Sequence, residues 1–158
     1  MSQESLMKAF ELLESDELYD SLFFSGEKSL DIVEKAEKTL GLRFPKDYRD
    51  FVLGLGAGSV GSSEIYGVIN DDFINSSVPD AVWSTLKARE AGLPKNLIKI
   101  GSHELGSPCI KVTDDMNQSV VIAYYVGFPE EAQTYEVLAE SFGDYFLGKI
   151  REEIENLG

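Results

Sequence analysis

The sequence predicts an α+β fold: a single domain with one mainly antiparallel β-sheet flanked by helices. Three observations carry this expectation. Apolar residues recur at helical spacing in separated segments, among them Leu30–Leu40, Tyr48–Leu55 and Leu138–Leu157. Two β-prone runs, Pro108–Thr113 and Val120–Val126, flank the turn sequence Asp114–Asp115–Met116–Asn117, as in an antiparallel hairpin. The strand signals cluster together and the helices lie around them, which is the element pattern of an α+β domain.

In chain order, residues 1–26 read as an N-terminal helical extension packed on the core, with Leu6, Phe10 and Leu13 on one stripe, and residues 27–158 as the main domain. Gly26 breaks the pattern. Ser29 is placed to cap the next helix, whose apolar side is Leu30, Val33, Ala36 and Leu40. Gly41 suits the left-handed backbone of a helix C-cap. Pro45 fits the first turn of a further helix, where no N–H is needed. Tyr48, Phe51, Val52 and Leu55 fall at i, i+3, i+4, i+7 and give that helix its buried face. Gly54, Gly56, Gly58 and Gly61 then predict a sharp turn into a first strand through Ile65, Tyr66 and Val68.

A polar loop follows at Asn70–Asn75. Ser77–Val78–Pro79–Asp80 reads as a capping box opening a helix with Val78, Val82 and Leu86 on one side, stopped at Gly92. Trp83 on that helix reads as a core anchor rather than an interface residue. Leu97, Ile98 and Ile100 make a short strand. Pro108 must lie at a strand end or edge, because it cannot donate to a ladder. Val120–Val126 is apolar at nearly every position, which places it centrally and covers it on both faces. From Leu138 the pattern predicts a helix with Phe142, Tyr145, Phe146, Ile150, Ile154 and Leu157 on its apolar face.

Composition narrows the function. At 158 residues and 43% hydrophobic, the chain can bury a core of its own. A single cysteine, Cys109, excludes an internal disulfide and any multi-cysteine zinc site, and fits a reducing compartment. No secretory leader and no membrane-length apolar run is recognisable, so a cytoplasmic location is expected. The balance of 14 basic to 28 acidic residues gives a net charge of −14. That argues against direct binding to nucleic acid, whose phosphates need Lys and Arg. It favours solubility and steering toward a basic partner. Residues 130–158 alone hold eight acids against Lys149 and Arg151, a solvated face that could also dock a partner.

No catalytic device is legible. The Gly54–Gly61 stretch lacks the Gly–Lys–Ser/Thr ending of a phosphate loop and lies in the wrong order for a dinucleotide fingerprint. The Asn70–Asn75 acids lack calcium-loop spacing. His103 is the only histidine, and it and Cys109 lack any recognisable third group, so neither a catalytic nor a zinc role is expected. The paired carboxylates read as hydrated surface. No cofactor, metal or enzymatic activity is expected.

The stretch from Leu40 to Gly67 carries a resemblance. Glu37, Leu40 and Gly41, then Phe44 and Pro45, Tyr48, Phe51 and Val52, Gly56 and Gly58, and Tyr66 and Gly67 resemble the core pattern of the SUKH superfamily. That superfamily includes yeast Smi/Knr-type cell-wall regulators and many bacterial immunity proteins. Leu93–Pro94, Gly106 and Ser141–Phe142 extend the likeness, so that it covers about residues 27–150. One departure is Gly106–Ser107, where many relatives have Gly–Asp. The resemblance implies a bacterial, cytoplasmic immunity protein in a polymorphic toxin system, which binds and neutralises a basic toxin, often a nuclease. The alternative it implies is a regulatory scaffold related to the yeast cell-wall assembly regulators. On the immunity reading, the partner would meet the acidic loop residues Glu64, Asp71, Asp72, Glu104, Asp114 and Asp115, with Tyr66 as an aromatic contact.

Overall fold

The computed structural model describes residues 2–103 and 106–158. The chain runs α1 (Ser2–Leu13), a 3-10 turn (Asp16–Ser21), β1 (Leu22–Phe24), α2 (Leu30–Leu40), α3 (Lys46–Leu55), β2 (Gly58–Val60) and β3 (Ser63–Ile65). It continues as α4 (Ala81–Glu90), β4 (Leu97–Lys99), β5 (Ser107–Lys111), β6 (Val121–Tyr124), a second 3-10 turn (Glu130–Ala132), β7 (Val137–Ala139) and α5 (Phe142–Leu157). The strands form two antiparallel sheets, β1-β2-β3 and β4-β5-β6-β7. The Tyr66 N–H donates to the Ile100 carbonyl at 2.9 Å, so the two sheets adjoin. This is the expected single-domain α+β fold with antiparallel strands, divided between two sheets where one was expected.

Local chemistry explains the helix ends. The Ser29 hydroxyl accepts from the Ile32 N–H, and Gly41, at φ 71°, caps α2 with its N–H on the Glu37 and Lys38 carbonyls. The Glu37 side chain also acts beyond the helix end. Its carboxylate accepts the Phe44 N–H at 2.7 Å and faces Arg49 at 3.9 Å, which fixes the turn between α2 and α3. α1 buries Leu6 and Ala9 in the core, and the Ser5 hydroxyl donates to the Asp144 carboxylate on α5.

The core is aromatic. Tyr48 and Phe51 of α3 meet Phe142 and Phe146 of α5, with ring centroids 4.9 Å apart for Tyr48–Phe142 and 5.0 Å for Phe51–Phe146. The Tyr48 hydroxyl is satisfied by the Tyr66 carbonyl at 2.8 Å. A second apolar cluster joins Ala88 of α4 to Leu97, Cys109, Ile122 and Tyr124 on the outer face of the four-stranded sheet. β6 is central and fully buried, as its composition predicts.

Four local expectations are corrected. Leu22–Phe24, inside the segment expected as a helical extension, is a strand on the edge of the first sheet. The glycine-rich segment is a hairpin, β2–β3, and not a bare turn. Gly58 permits it, because a Cβ there would overlap the Phe23 carbonyl oxygen of the neighbouring strand. Helix α4 is capped by Asp80, not Ser77: the buried Asp80 carboxylate accepts from Val82 N–H at 2.8 Å and Trp83 N–H at 3.0 Å. Leu138 belongs to β7, because the Ser141 hydroxyl accepts from the Asp144 N–H at 3.1 Å and fixes the start of α5 beyond it. Trp83 is only partly buried.

Two carboxylates are enclosed in this framework. Asp47 is 2% exposed and accepts from the Tyr48 N–H, the Ser119 hydroxyl and the Gly143 N–H, all within 2.9 Å. Asp80 is fully buried and also accepts from the Ser76 hydroxyl at 2.7 Å. Burial raises both carboxyls above their ordinary 3.8, and their hydrogen bonds oppose the rise. A carboxyl whose folded pKa exceeds its unfolded value contributes stability that is fully present below the unfolded value. That contribution is lost as pH rises through the folded one. The melting temperature is therefore expected to rise as pH falls from neutral toward the ordinary carboxyl value of 3.8, also because protonation relieves the net charge of −14. A pH series of thermal melts checks this, and Asp47→Asn with Asp80→Asn should flatten the rise.

Candidate functional site

A cleft of about 630 Å³ opens where the two sheets adjoin and α5 crosses them. Its floor is paved with small residues: Gly101, Gly106, Pro108 and Ala123. The floor is tight, since a Cβ at Gly106 would stand 3.1 Å from that of Ala123. Larger residues here would fill the space with side chain, so the small ones keep it open. Glu64 and Tyr66 form one wall, Ser102 and His103 the rim after β4, and Glu136 and Leu138 of β7 the far side. α5 supplies Asp144, Tyr145, Lys149 and Glu152.

The lining is acidic. Glu64, Glu136, Asp144 and Glu152 are set against Lys149. Lys149 is itself engaged: its Nζ lies 3.7 Å from Glu152 and 5.4 Å over the Tyr145 ring. Burial, with Glu152 nearby, pushes the Tyr145 hydroxyl up to about 12, so it remains a protonated donor at neutral pH. Tyr66 is only 3% exposed, and burial raises its pKa as well. Its ring is covered by the protein itself, which leaves little of it for a partner to touch. An acidic, partly aromatic concavity of this kind suits a lysine or arginine side chain presented by another protein.

Of the residues expected from the sequence at a partner surface, Glu64 and Tyr66 line the cleft. Glu104 lies outside the described residues. Asp71, Asp72, Asp114 and Asp115 are exposed but do not line it. Asp71 pairs with Lys35 at 3.4 Å. Asp72 accepts from the Ile74 and Asn75 N–H groups, which hold its carboxyl below the ordinary range, and Asp115 accepts from the Asn117 N–H at 2.9 Å. The last two therefore also shape their own turns. Glu136, Asp144 and Glu152 belong to the C-terminal acid-rich segment, and only the fold shows which of its acids converge.

Cys109 is fully buried among apolar neighbours, and burial pushes its thiol up to about 12. It donates to the Ser107 carbonyl at 3.5 Å. The thiolate is the reactive form, so Cys109 should resist a disulfide reagent in the native protein and react fully on denaturation, as read by thiol absorbance. Prompt native labelling would contradict its burial. His103 is exposed at the cleft rim. Among the described residues, no group of three or more His, Cys, Asp and Glu is arranged to hold a metal ion. None of the described helices is long and apolar enough to cross a membrane.

A family model described as "SUKH_5: SMI1-KNR4 cell-wall" matches residues 11–150. No curated protein matches the chain. Among solved structures, one described as "Crystal structure of protein from Pseudomonas syringae pv. tomato" is similar over 90% of this chain and 93% of its own. The TM-score is 0.60 at 18% sequence identity, a likeness of fold.

Proposed function

Because the chain belongs to the SMI1-KNR4 family, we propose that it is a non-enzymatic protein-binding module: an immunity protein that binds and neutralises a basic, often nuclease, toxin in the cytoplasm. The acidic cleft is the observation that carries this reading. Glu64, Glu136, Asp144 and Glu152 converge there around a single lysine. A nuclease cleft is basic because it binds phosphates, so the two surfaces would be complementary. The expected gain is mainly in association rate, with buried anchors setting the residence time.

Co-expression tests this. The product of the gene beside this one is produced with and without the chain, and survival is scored. Rescue, with a direct complex between the purified proteins, is expected. Unchanged killing with no complex would count against the immunity role. The family description, which names the cell wall, favours a second reading as a regulatory scaffold. That reading predicts a stable complex with a cell-wall assembly factor and no protection from a toxin.

A further inference from the structure

We propose that Lys149 fills, from within the chain, the place in the cleft where a partner inserts an arginine side chain, and that the arginine displaces it and lies across the bare backbone of Gly148. This rests on the binding-module reading and adds to it a contact point and a built-in competitor for that point.

Two independent observations meet on one face of α5. Tyr145, Gly148, Lys149 and Glu152 fall at i, i+3, i+4 and i+7, so they share that face, and all four line the cleft. The first observation is where the Lys149 cation sits. Its side chain is 27% exposed, against 54% and 60% for Lys35 and Lys87, which also pair with acids. Lys149 therefore lies along the cleft wall and does not reach out into solvent. Its Nζ stands over the Tyr145 ring and beside the Glu152 carboxylate. A ring face and a carboxylate are also the two groups that hold a guanidinium well. The cleft thus already seats one cation, drawn from its own wall.

The second observation is Gly148. A glycine inside a helix costs stability relative to alanine. Elsewhere in this chain the packing demands glycine: a Cβ at Gly58 or Gly67 would run into the backbone of a neighbouring segment. At Gly148 a Cβ would meet nothing within 4 Å, and the backbone is ordinary helix. Nothing in the free protein requires glycine there. The missing methyl leaves the α5 backbone open to the cleft, so that a flat group can lie against the helix between Tyr145 and Glu152.

Charge selects the occupant. Glu64 of β3 and Glu136 beside β7 also line the cleft, and Lys149 is the only Lys or Arg among its described lining residues. One lysine leaves most of that negative charge unanswered. Its exposed pair with Glu152 is of a weak kind, and its long stem can carry the ammonium back to water, so it yields readily. Arginine suits the place better than lysine does. Its planar group stacks on a ring while its remaining N–H groups donate to carboxylates.

The test uses the full chain and a capped seven-residue peptide with one central arginine among Gly and Ser. Its counterpart carries citrulline, which has the same shape and no charge. Backbone amide shifts are followed by NMR during titration. The arginine peptide is expected to shift residues 145–152, and the citrulline peptide to leave them unmoved. Lys149→Met should tighten binding by about fivefold, since the competing cation is gone. Lys87→Met removes the same charge from α4 away from the cleft and should leave the affinity nearly unchanged. Gly148→Ala should raise the melting temperature by about 3 °C yet weaken binding by about tenfold, because its methyl stands where the arginine lies. The inference is overturned if the arginine peptide does not shift the α5 face, if Lys149→Met binds no tighter than Lys87→Met, or if Gly148→Ala binds as the native chain does or melts lower. Any of these would leave the binding-module reading standing, because that reading is decided separately by rescue and by a complex with the product of the neighbouring gene.

Discussion

Replacing Asp47 with alanine should destabilise the domain by about 3 kcal/mol, because each buried donor left without an acceptor costs roughly 1–3 kcal/mol. For a domain of this size that corresponds to a fall of about 10 °C in melting temperature. The carboxylate ties three parts of the chain together. One oxygen accepts its own helix's Tyr48 N–H, and the other accepts the Ser119 hydroxyl and the Gly143 N–H of α5. Ser119 in turn accepts the Phe142 N–H at 2.9 Å. Asp47 thus caps α5 from α3, a long-range counterpart of an ordinary N-cap. Asparagine retains one acceptor oxygen but sets an NH2 where an acceptor is needed, so Asp47→Asn should lose about half as much. Denaturant melts of both variants measure this. A loss under about 0.5 kcal/mol for Asp47→Ala would show that the network adds little to the packing around it.

The second large effect falls on binding. Glu64→Lys combined with Glu136→Lys reverses two exposed cleft charges without touching the core. On the proposed reading, affinity for a basic partner falls by about 100-fold, most of it in association rate, and the loss shrinks as salt is added. The melting temperature should stay close to the native value, since exposed substitutions away from packed features cost little. Reversal of Asp71, Asp72, Asp114 and Asp115 together should have a smaller effect. These acids lie outside the cleft, and Asp72 and Asp115 are engaged in their own turns. Surface plasmon resonance at two ionic strengths distinguishes the two sets.

Much of the fold was legible because local signals agreed with tertiary ones. Ser29, Gly41, the Tyr48–Phe51–Val52 face and the buried run of β6 each follow from short-range rules that the packing reinforces. Of the short edge strands, β4 was legible through Leu97, Ile98 and Ile100, but β1 and β7 were not. β1 and β7 have three residues each, too few to establish a period of two. Leu138 also lies four residues before Phe142, which fits a helical period equally well until the Ser141 cap is seen. Asp80 outcompetes Ser77 as a cap because the fold buries its carboxylate against the Val82 and Trp83 amides.

The lining of the candidate cleft was half legible. Glu64 and Tyr66 could be singled out near the glycine hairpin, but only the fold brings Glu136, Asp144 and Glu152 from distant parts of the chain to the same cleft. Sequence shows the number of acids and not their convergence. The resemblance to SUKH proteins located the scaffold correctly. Its Glu37 turns out to fix the α2–α3 turn, and its Tyr48 to pack the core. The recognisable residues are therefore those that build the scaffold, which can be shared while the surfaces it carries differ.

The most direct measurement is an isothermal titration of this chain with the purified product of the gene beside its own, at low and at physiological salt. The expected result is a one-to-one complex that weakens steeply as salt is raised and that is lost in the Glu64→Lys, Glu136→Lys variant. No heat of binding, or a complex indifferent to both salt and the cleft charges, would contradict the immunity role and the acidic cleft as its surface.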